Sequence, residues 1–226
     1  MRILALDTST EWCSVAAGDG TRWHARDERA GQTHSQRLLP MVRAVLAEAG
    51  WRLRDVDGIA FGAGPGSFTG IRIGCGAAQG LALGSGRPVV PIPTLAAIAA
   101  ASGRRRVLAC LDARMREVYV AAYVRQDGDW KELSPPAVLP PGAVTLPSEG
   151  GWYGAGGGFA AYPDLALRLG LVAADSAVRP GAVAVGRLAL PRLAAGGGVT
   201  AADALPLYVR HRVALTAAER AAGAVL

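Results

Sequence analysis

The sequence predicts an α/β protein made of two halves on one plan, and three observations carry that prediction. Half of its 226 residues (51%) are hydrophobic, enough to bury a full core as one large domain or two small ones. Short apolar runs of strand length alternate with segments of helical period. Near the middle, Ser102-Gly103 and the cluster Arg104–Arg106 break the chain, after which the opening strand pattern starts again. The boundary is set there, giving an N-terminal half 1–103 and a C-terminal half 104–226.

Residues 2–6, 13–17 and 21–26 read as three strands of an antiparallel meander, with turns at Asp7–Thr10 and Gly18–Gly20. Thr33 with Gln36 three residues on is a capping-box pattern. After it Leu38, Leu39, Met41, Val42, Val45, Leu46 and Ala49 recur at helical spacing until Gly50 ends the helix. Residues 56–61 and 89–92 are strands, and Thr94 begins an alanine-rich helix. In the second half, residues 107–111, 117–124, 130–133 and 152–154 read as strands. Pro135-Pro136 and Pro140-Pro141 read as a loop that ends the sheet. Helices are expected over 160–169 and 181–195.

Between the strand at 56–61 and the next lies Gly62-Ala-Gly-Pro-Gly-Ser-Phe-Thr-Gly-Ile-Arg-Ile-Gly-Cys-Gly-Ala-Ala-Gln-Gly80. Pro65-Gly66 makes a turn and Ser67 or Thr69 is placed to cap the helix that follows. Each interior glycine costs that helix about 1 kcal/mol against alanine, so something must approach its backbone closely. Three occupants fit: a tight crossing inside the same subunit, an anion at the helix N-terminus, or a partner helix.

Composition excludes several classes. No apolar run approaches the roughly 18 residues needed to cross a bilayer, and Asp7 interrupts the N-terminal run too early for a signal peptide, so a soluble, cytoplasmic chain without membrane contact is expected. Cys13, Cys75 and Cys110 are an odd number at long spacings in apolar stretches, which fits reduced, buried thiols. The net charge of +6 is almost wholly arginine, Lys131 being the one lysine. Arg104–Arg106 lacks the interleaved aromatics of a single-strand groove and reads as a solvated turn.

The chemistry-bearing motifs are sparse. The strand that ends in Asp7-Thr8-Ser9-Thr10 resembles the first phosphate loop of the actin and hexokinase class, although the same residues also form an ordinary Asx turn. Asp7, Thr8 and Ser9 are therefore the weak candidates for a nucleotide site, with Asp7 read as an exposed carboxylate whose loss costs no more than about 0.5 kcal/mol. A phosphoryl-transfer site needs a second acidic glycine loop. Its counterpart, Gly154–Gly158, has no neighbouring carboxylate. His24, His34 and His211 are scattered, without a second ligand at helical or knuckle spacing. No cofactor, no metal and no catalytic residue is assigned.

Taken in order, Ile3-Leu-Ala-Leu-Asp-Thr-Ser-Thr10, His34-Ser35, the glycine block from Gly62 to Gly74, Asp112-Ala-Arg114 with Glu117-Val-Tyr119, and Pro206-Leu-Tyr-Val-Arg210 resemble the TsaB (YeaZ) family over nearly the whole chain. The resemblance implies two subdomains of the actin-like ATPase (ribonuclease H-like) fold. It also implies a bacterial pseudo-enzyme subunit in the synthesis of threonylcarbamoyladenosine beside the tRNA anticodon. The implied partners are the paralogue TsaD, bound directly, then TsaE and tRNA through the complex, with a homodimer when the chain is alone. TsaD carries two histidine metal ligands where this sequence has Thr94 and Ile98, so the metal site is not expected here. The expected partner surface lies on the helices over 33–49 and 69–83, with Leu39, Val42, Leu46, Gly70, Gly74 and Ala77 in contact. The alternative is a free-standing ATPase or sugar-type kinase using Asp7 and Gly154–Gly158.

Overall fold

The computed structural model describes residues 1–210 of the chain, so His211 and the end of the C-terminal half lie outside the described residues. Two five-stranded sheets form from β1 (Ile3–Asp7), β2 (Trp12–Gly18), β3 (Trp23–Arg29), β4 (Gly58–Gly64) and β5 (Val89–Pro93), and from β6 (Arg106–Arg114), β7 (Glu117–Gln126), β8 (Asp129–Leu139), β9 (Tyr153–Ala155) and β10 (Ala173–Asp175). Their orders are β3-β2-β1-β4-β5 and β10-β9-β6-β7-β8. Read from the third strand of each half the two orders are the same. In both, the first strand pairs antiparallel with the second and parallel with the fourth. The repeat expected from the sequence is thus a repeat of topology.

Helices α1 (His34–Glu48), α2 (Phe68–Ser85) and α3 (Thr94–Ala101) belong to the first half. The second half has α4 (Gly158–Ala161), α5 (Asp164–Arg168) and α6 (Ala182–Ala194). β1 is buried at every residue because both of its faces are covered. Leu4 and Leu6 join Leu38, Val42 and Val45 of α1 and Ala78 of α2, while Ile3 and Ala5 join Ala182, Val185 and Ala189 of α6. α6 therefore covers the first sheet although it follows the second in sequence. α3 does the reverse, sending Leu95, Ile98 and Ala99 against Val107, Ala109 and Tyr123. Each sheet is built from consecutive strands, β1–β5 and β6–β10, but α3 and α6 each pack on the sheet of the other half.

Three local expectations are corrected. Pro135 and Pro136 lie inside β8, in the register shift between Ala137 and Ser134, and β8 is an edge strand where a missing N–H costs no ladder bond. The helix expected over 160–169 is two short ones, because Pro163 cannot continue α4. Thr33 precedes α1 without capping it, its hydroxyl donating instead to Ala30 O at 2.8 Å. Ser67 does cap α2, accepting from Gly70 N–H at 3.2 Å. Cys13, Cys75 and Cys110 are buried and free, as expected.

The glycine block finds its close neighbour inside the chain. A Cβ on Gly62 would overlap the Asp7 carboxylate, one on Gly66 would overlap Ser9 O, and one on Gly70 would overlap Thr8 O. On Gly74 it would stand 2.5 Å from Thr8 Oγ1. Thr8 Oγ1 donates to Gly70 O at 2.7 Å, and Ser67 N–H donates to Ser9 O at 2.7 Å. Four glycines spaced by four let the β4–α2 corner lie directly on the 7–9 turn. Gly74→Leu is accordingly expected to overpack that contact and destabilise the isolated chain by about 1–3 kcal/mol. A thermal melt of the mutant checks this, and a melting temperature equal to wild type would contradict it.

Candidate functional site

Asp7 is 1% exposed, a correction to its reading as a solvent-facing carboxylate. Its Oδ1 accepts from Ser9 N–H at 3.0 Å and from the Ser9 hydroxyl at 2.8 Å. Among the described residues Oδ2 has no hydrogen-bond partner, and it is sealed beneath Gly62. Burial pushes this carboxyl up to about 7, the two Ser9 hydrogen bonds opposing the rise and Asp27 adding to it. The cause is that β1 is covered on both faces and that Thr8 and Ser9 are buried with it, so the turn emerges only at Thr10.

A cleft of about 1180 Å³ opens between the halves. Ser9, Thr10, Pro65–Thr69 and Arg72 line it from the first half, Leu111–Met115, Tyr119 and Gly157 from the second, and Leu207–Arg210 from the final segment. Asp7 and Thr8 do not line it. Of the second glycine loop only Gly157 reaches the cleft. Gly154 instead admits the Phe159 ring, and Gly156 and Gly158 lie on Cys110, so these glycines also serve internal contact. Of the cleft carboxylates Glu11 and Asp112, Asp112 is paired with Arg114 at 3.2 Å. The Thr94 hydroxyl accepts from Gly64 N–H at 3.1 Å, and Ile98 is buried against the second sheet. Among the described residues no three His, Cys, Asp or Glu come together in a metal-holding group.

The residues expected at a partner surface are distributed differently. On α1, Leu39 is 50% exposed, but Val42 and Leu46 point into the first core. On α2, Gly70 and Gly74 are spent on Thr8, and Ala77 is half-buried at the edge of the core. The open face of α2 carries a second glycine series, Gly76, Gly80 and Gly84, where an added Cβ meets nothing within 4 Å among the described residues. Exposed Leu83 and half-buried Ile73 flank it. The signal was present in the sequence as two series of period four offset by two residues, one turned inward and one outward. Of the arginine cluster, Arg104 stacks on Tyr153, and Arg106 stacks on Trp152 while bonding Ser148, Glu149 and Gly150.

The family model described as TsaD, tRNA N6-adenosine threonylcarbamoyltransferase, matches residues 27–212. A curated relative from Escherichia coli (strain K12), named tRNA threonylcarbamoyladenosine biosynthesis protein TsaB, is 44% identical over 95% of this chain and 96% of its own length. Its namesake from Haemophilus influenzae is 39% identical over 94% of this chain and 95% of its own. The solved structure of YeaZ from Pseudomonas aeruginosa superposes with a TM-score of 0.86 at 45% identity, covering 92% of this chain and 99% of that one.

The buried carboxyl sets a pH dependence. Because Asp7 titrates near 7 in the folded chain and at its ordinary 3.8 when unfolded, its contribution is fullest below about pH 4 and is lost as pH rises to about 7. Asp7→Asn keeps the hydrogen bonds from Ser9 without the charge. It is expected to flatten the stability profile over that window and to raise stability at pH 8 by about 1–4 kcal/mol. Denaturant unfolding at pH 4, 6 and 8 measures it, and an unchanged slope would contradict the assignment.

Proposed function

The chain belongs to the TsaB family, and on that footing we propose that it is a non-catalytic scaffold and activator subunit in tRNA threonylcarbamoyladenosine biosynthesis, acting by heterodimerising with TsaD. TsaE and tRNA are met in the assembled complex, and the chain self-associates when TsaD is absent. The observation that carries this reading is the outward glycine series of α2. A solvated helix would gain from alanine at Gly76, Gly80 and Gly84, each glycine costing about 1 kcal/mol. A second helix seated against their backbone accounts for all three, because small residues permit close helix approach. Leu83 of α2 and Leu39 of α1, both exposed, supply apolar contact beside the seam. Of the residues named from the sequence, Leu39 and Ala77 lie at this surface, while Val42, Leu46, Gly70 and Gly74 hold its helices in place from beneath.

A free-standing ATPase or kinase is the weaker reading on this geometry. It requires Asp7 to reach metal or water, and Asp7 is sealed under Gly62. It also requires a carboxylate at the second glycine loop, whose glycines are instead packed on Cys110 and Phe159. Thr94 and Ile98 cannot supply the imidazole ligands of the paralogue.

Gly80→Leu separates the surface from the fold. The mutant is expected to remain folded and to melt at or slightly above wild type, since helix propensity rises by up to about 1 kcal/mol. It should lose co-purification with TsaD, and tRNA modification should fall to the level seen without this chain. A folded Gly80→Leu chain that forms a full-strength complex would sink the proposal. Elemental analysis of the wild-type chain is expected to find no stoichiometric zinc or iron, and about one tightly held metal per chain would contradict the non-catalytic assignment.

A further inference from the structure

The mouth of the cleft has two unlike lips. On one, the Arg72 guanidinium lies 3.6 Å from the centre of the Phe68 ring and 5.5 Å from that of Tyr208, and its Nε donates to the Tyr208 hydroxyl at 2.8 Å. Both rings stay accessible, at 49% and 46% exposure. The other lip is the β6–β7 hairpin tip, where Arg114, Met115 and Arg116 stand in succession at φ 61°, 53° and 59°. Three consecutive non-glycine residues in the left-handed region persist only where their surroundings enforce it. Arg210 does so from below. It donates to Ala113 O at 2.9 Å, meets the Met115 sulfur at 2.8 Å and pairs with Glu117 at 2.7 Å.

This arrangement turns arginine outward. Among the described residues three arginines line the cleft, Arg72, Arg114 and Arg210, against two carboxylates, Glu11 and Asp112. Asp112 and neighbouring Glu117 are already ion-paired. Among the described residues, neither Arg72 nor Arg116 has a carboxylate within ion-pair distance. A ligand suited to the mouth offers flat π faces and spaced negative charge. Unpaired nucleotides of an RNA do so, their bases stacking on aromatic rings and guanidinium planes and their phosphates meeting arginine. We propose that the cleft mouth is a binding site for unpaired nucleotides of the tRNA substrate, with bases on Phe68 and Tyr208 and phosphates at Arg72 and the Arg114–Arg116 tip. This rests on the reading that the chain serves a tRNA-modifying assembly. It adds a contact made by this chain itself.

The test titrates labelled tRNA transcript against the isolated full chain and against its complex with TsaD, with unlabelled duplex RNA of equal length as competitor. Phe68→Ala and Tyr208→Ala are expected to weaken tRNA binding by about 5- to 100-fold each. Tyr208→Phe keeps the ring and is expected to bind as wild type, which separates stacking from the hydroxyl's tie to Arg72. Arg116→Ala is expected to weaken binding and reduce the slope of log affinity against log salt by about 0.7. Arg105→Ala, away from the cleft, is the control, and all variants should retain wild-type melting and TsaD co-elution. Wild-type tRNA affinity in Phe68→Ala and Tyr208→Ala overturns the proposal, as does duplex competing equally well or no tRNA binding by either form. Lost TsaD co-elution with unchanged tRNA affinity overturns it too, in favour of a protein-docking face. If wild type forms no TsaD complex, the scaffold reading fails, and the isolated-chain titration still decides this one.

Discussion

The contact between the 7–9 turn and the β4–α2 corner is the constraint on which the first half depends. Thr8 inserts its carbonyl and hydroxyl against α2, and only glycine at positions 70 and 74 leaves room for them. The Thr8 hydroxyl donates to Gly70 O, satisfying a buried donor that would otherwise be costly. Gly66 and Gly62 continue the same close approach onto Ser9 and Asp7. One consequence is the buried Asp7 carboxyl, left with a single satisfied oxygen. A turn that could have presented a carboxylate to a ligand is instead used to seat a helix.

The second constraint is the exchange of α3 and α6. Each half covers one sheet face with a helix from the other, so the two cores are joined by buried apolar side chains as well as by the connecting chain. The final segment adds a polar tie. Leu207 N–H donates to Ala63 O in the first half, and Arg210 reaches Glu117 and Ala113 in the second. The cleft is thereby bounded on a side that neither sheet could close.

Much of the fold was legible because period and turn chemistry are local. Nine of the ten described strands, the glycine stop of α1 and a Ser67 or Thr69 cap follow from neighbouring residues, whereas the three-residue edge strand β10 carries no such pattern and was missed. What failed was whatever depends on tertiary placement. Asp7 reads as a turn residue, and nothing in its neighbourhood reveals that Gly62, 55 positions away, will close over it. Pro135 and Pro136 forbid a central strand but not a bulged edge, and which strand forms the edge is a property of the sheet. Val42 and Leu46 were legible as apolar, yet hydrophobicity alone does not tell a core-facing position from a partner-facing one. The meeting of Phe68 with Tyr208, 140 residues apart, left no local trace.

The two glycine series on α2 show why composition and function are hard to separate in such a helix. Both series cost helix propensity, and both have period four, so they are indistinguishable by count or by spacing. They differ by the two-residue offset between Gly74 and Gly76, which on a helix is a rotation of about 200° and turns those two neighbouring glycines to opposite sides. The inner series cannot be changed without displacing Thr8. The outer series meets nothing within 4 Å among the described residues, so none of them requires it. Because the inner contact fixes the rotation of α2 about its own axis, it also fixes the direction in which the outer glycines face. The packing that removed Asp7 from solvent is therefore the same packing that turns Gly76, Gly80 and Gly84 away from the core.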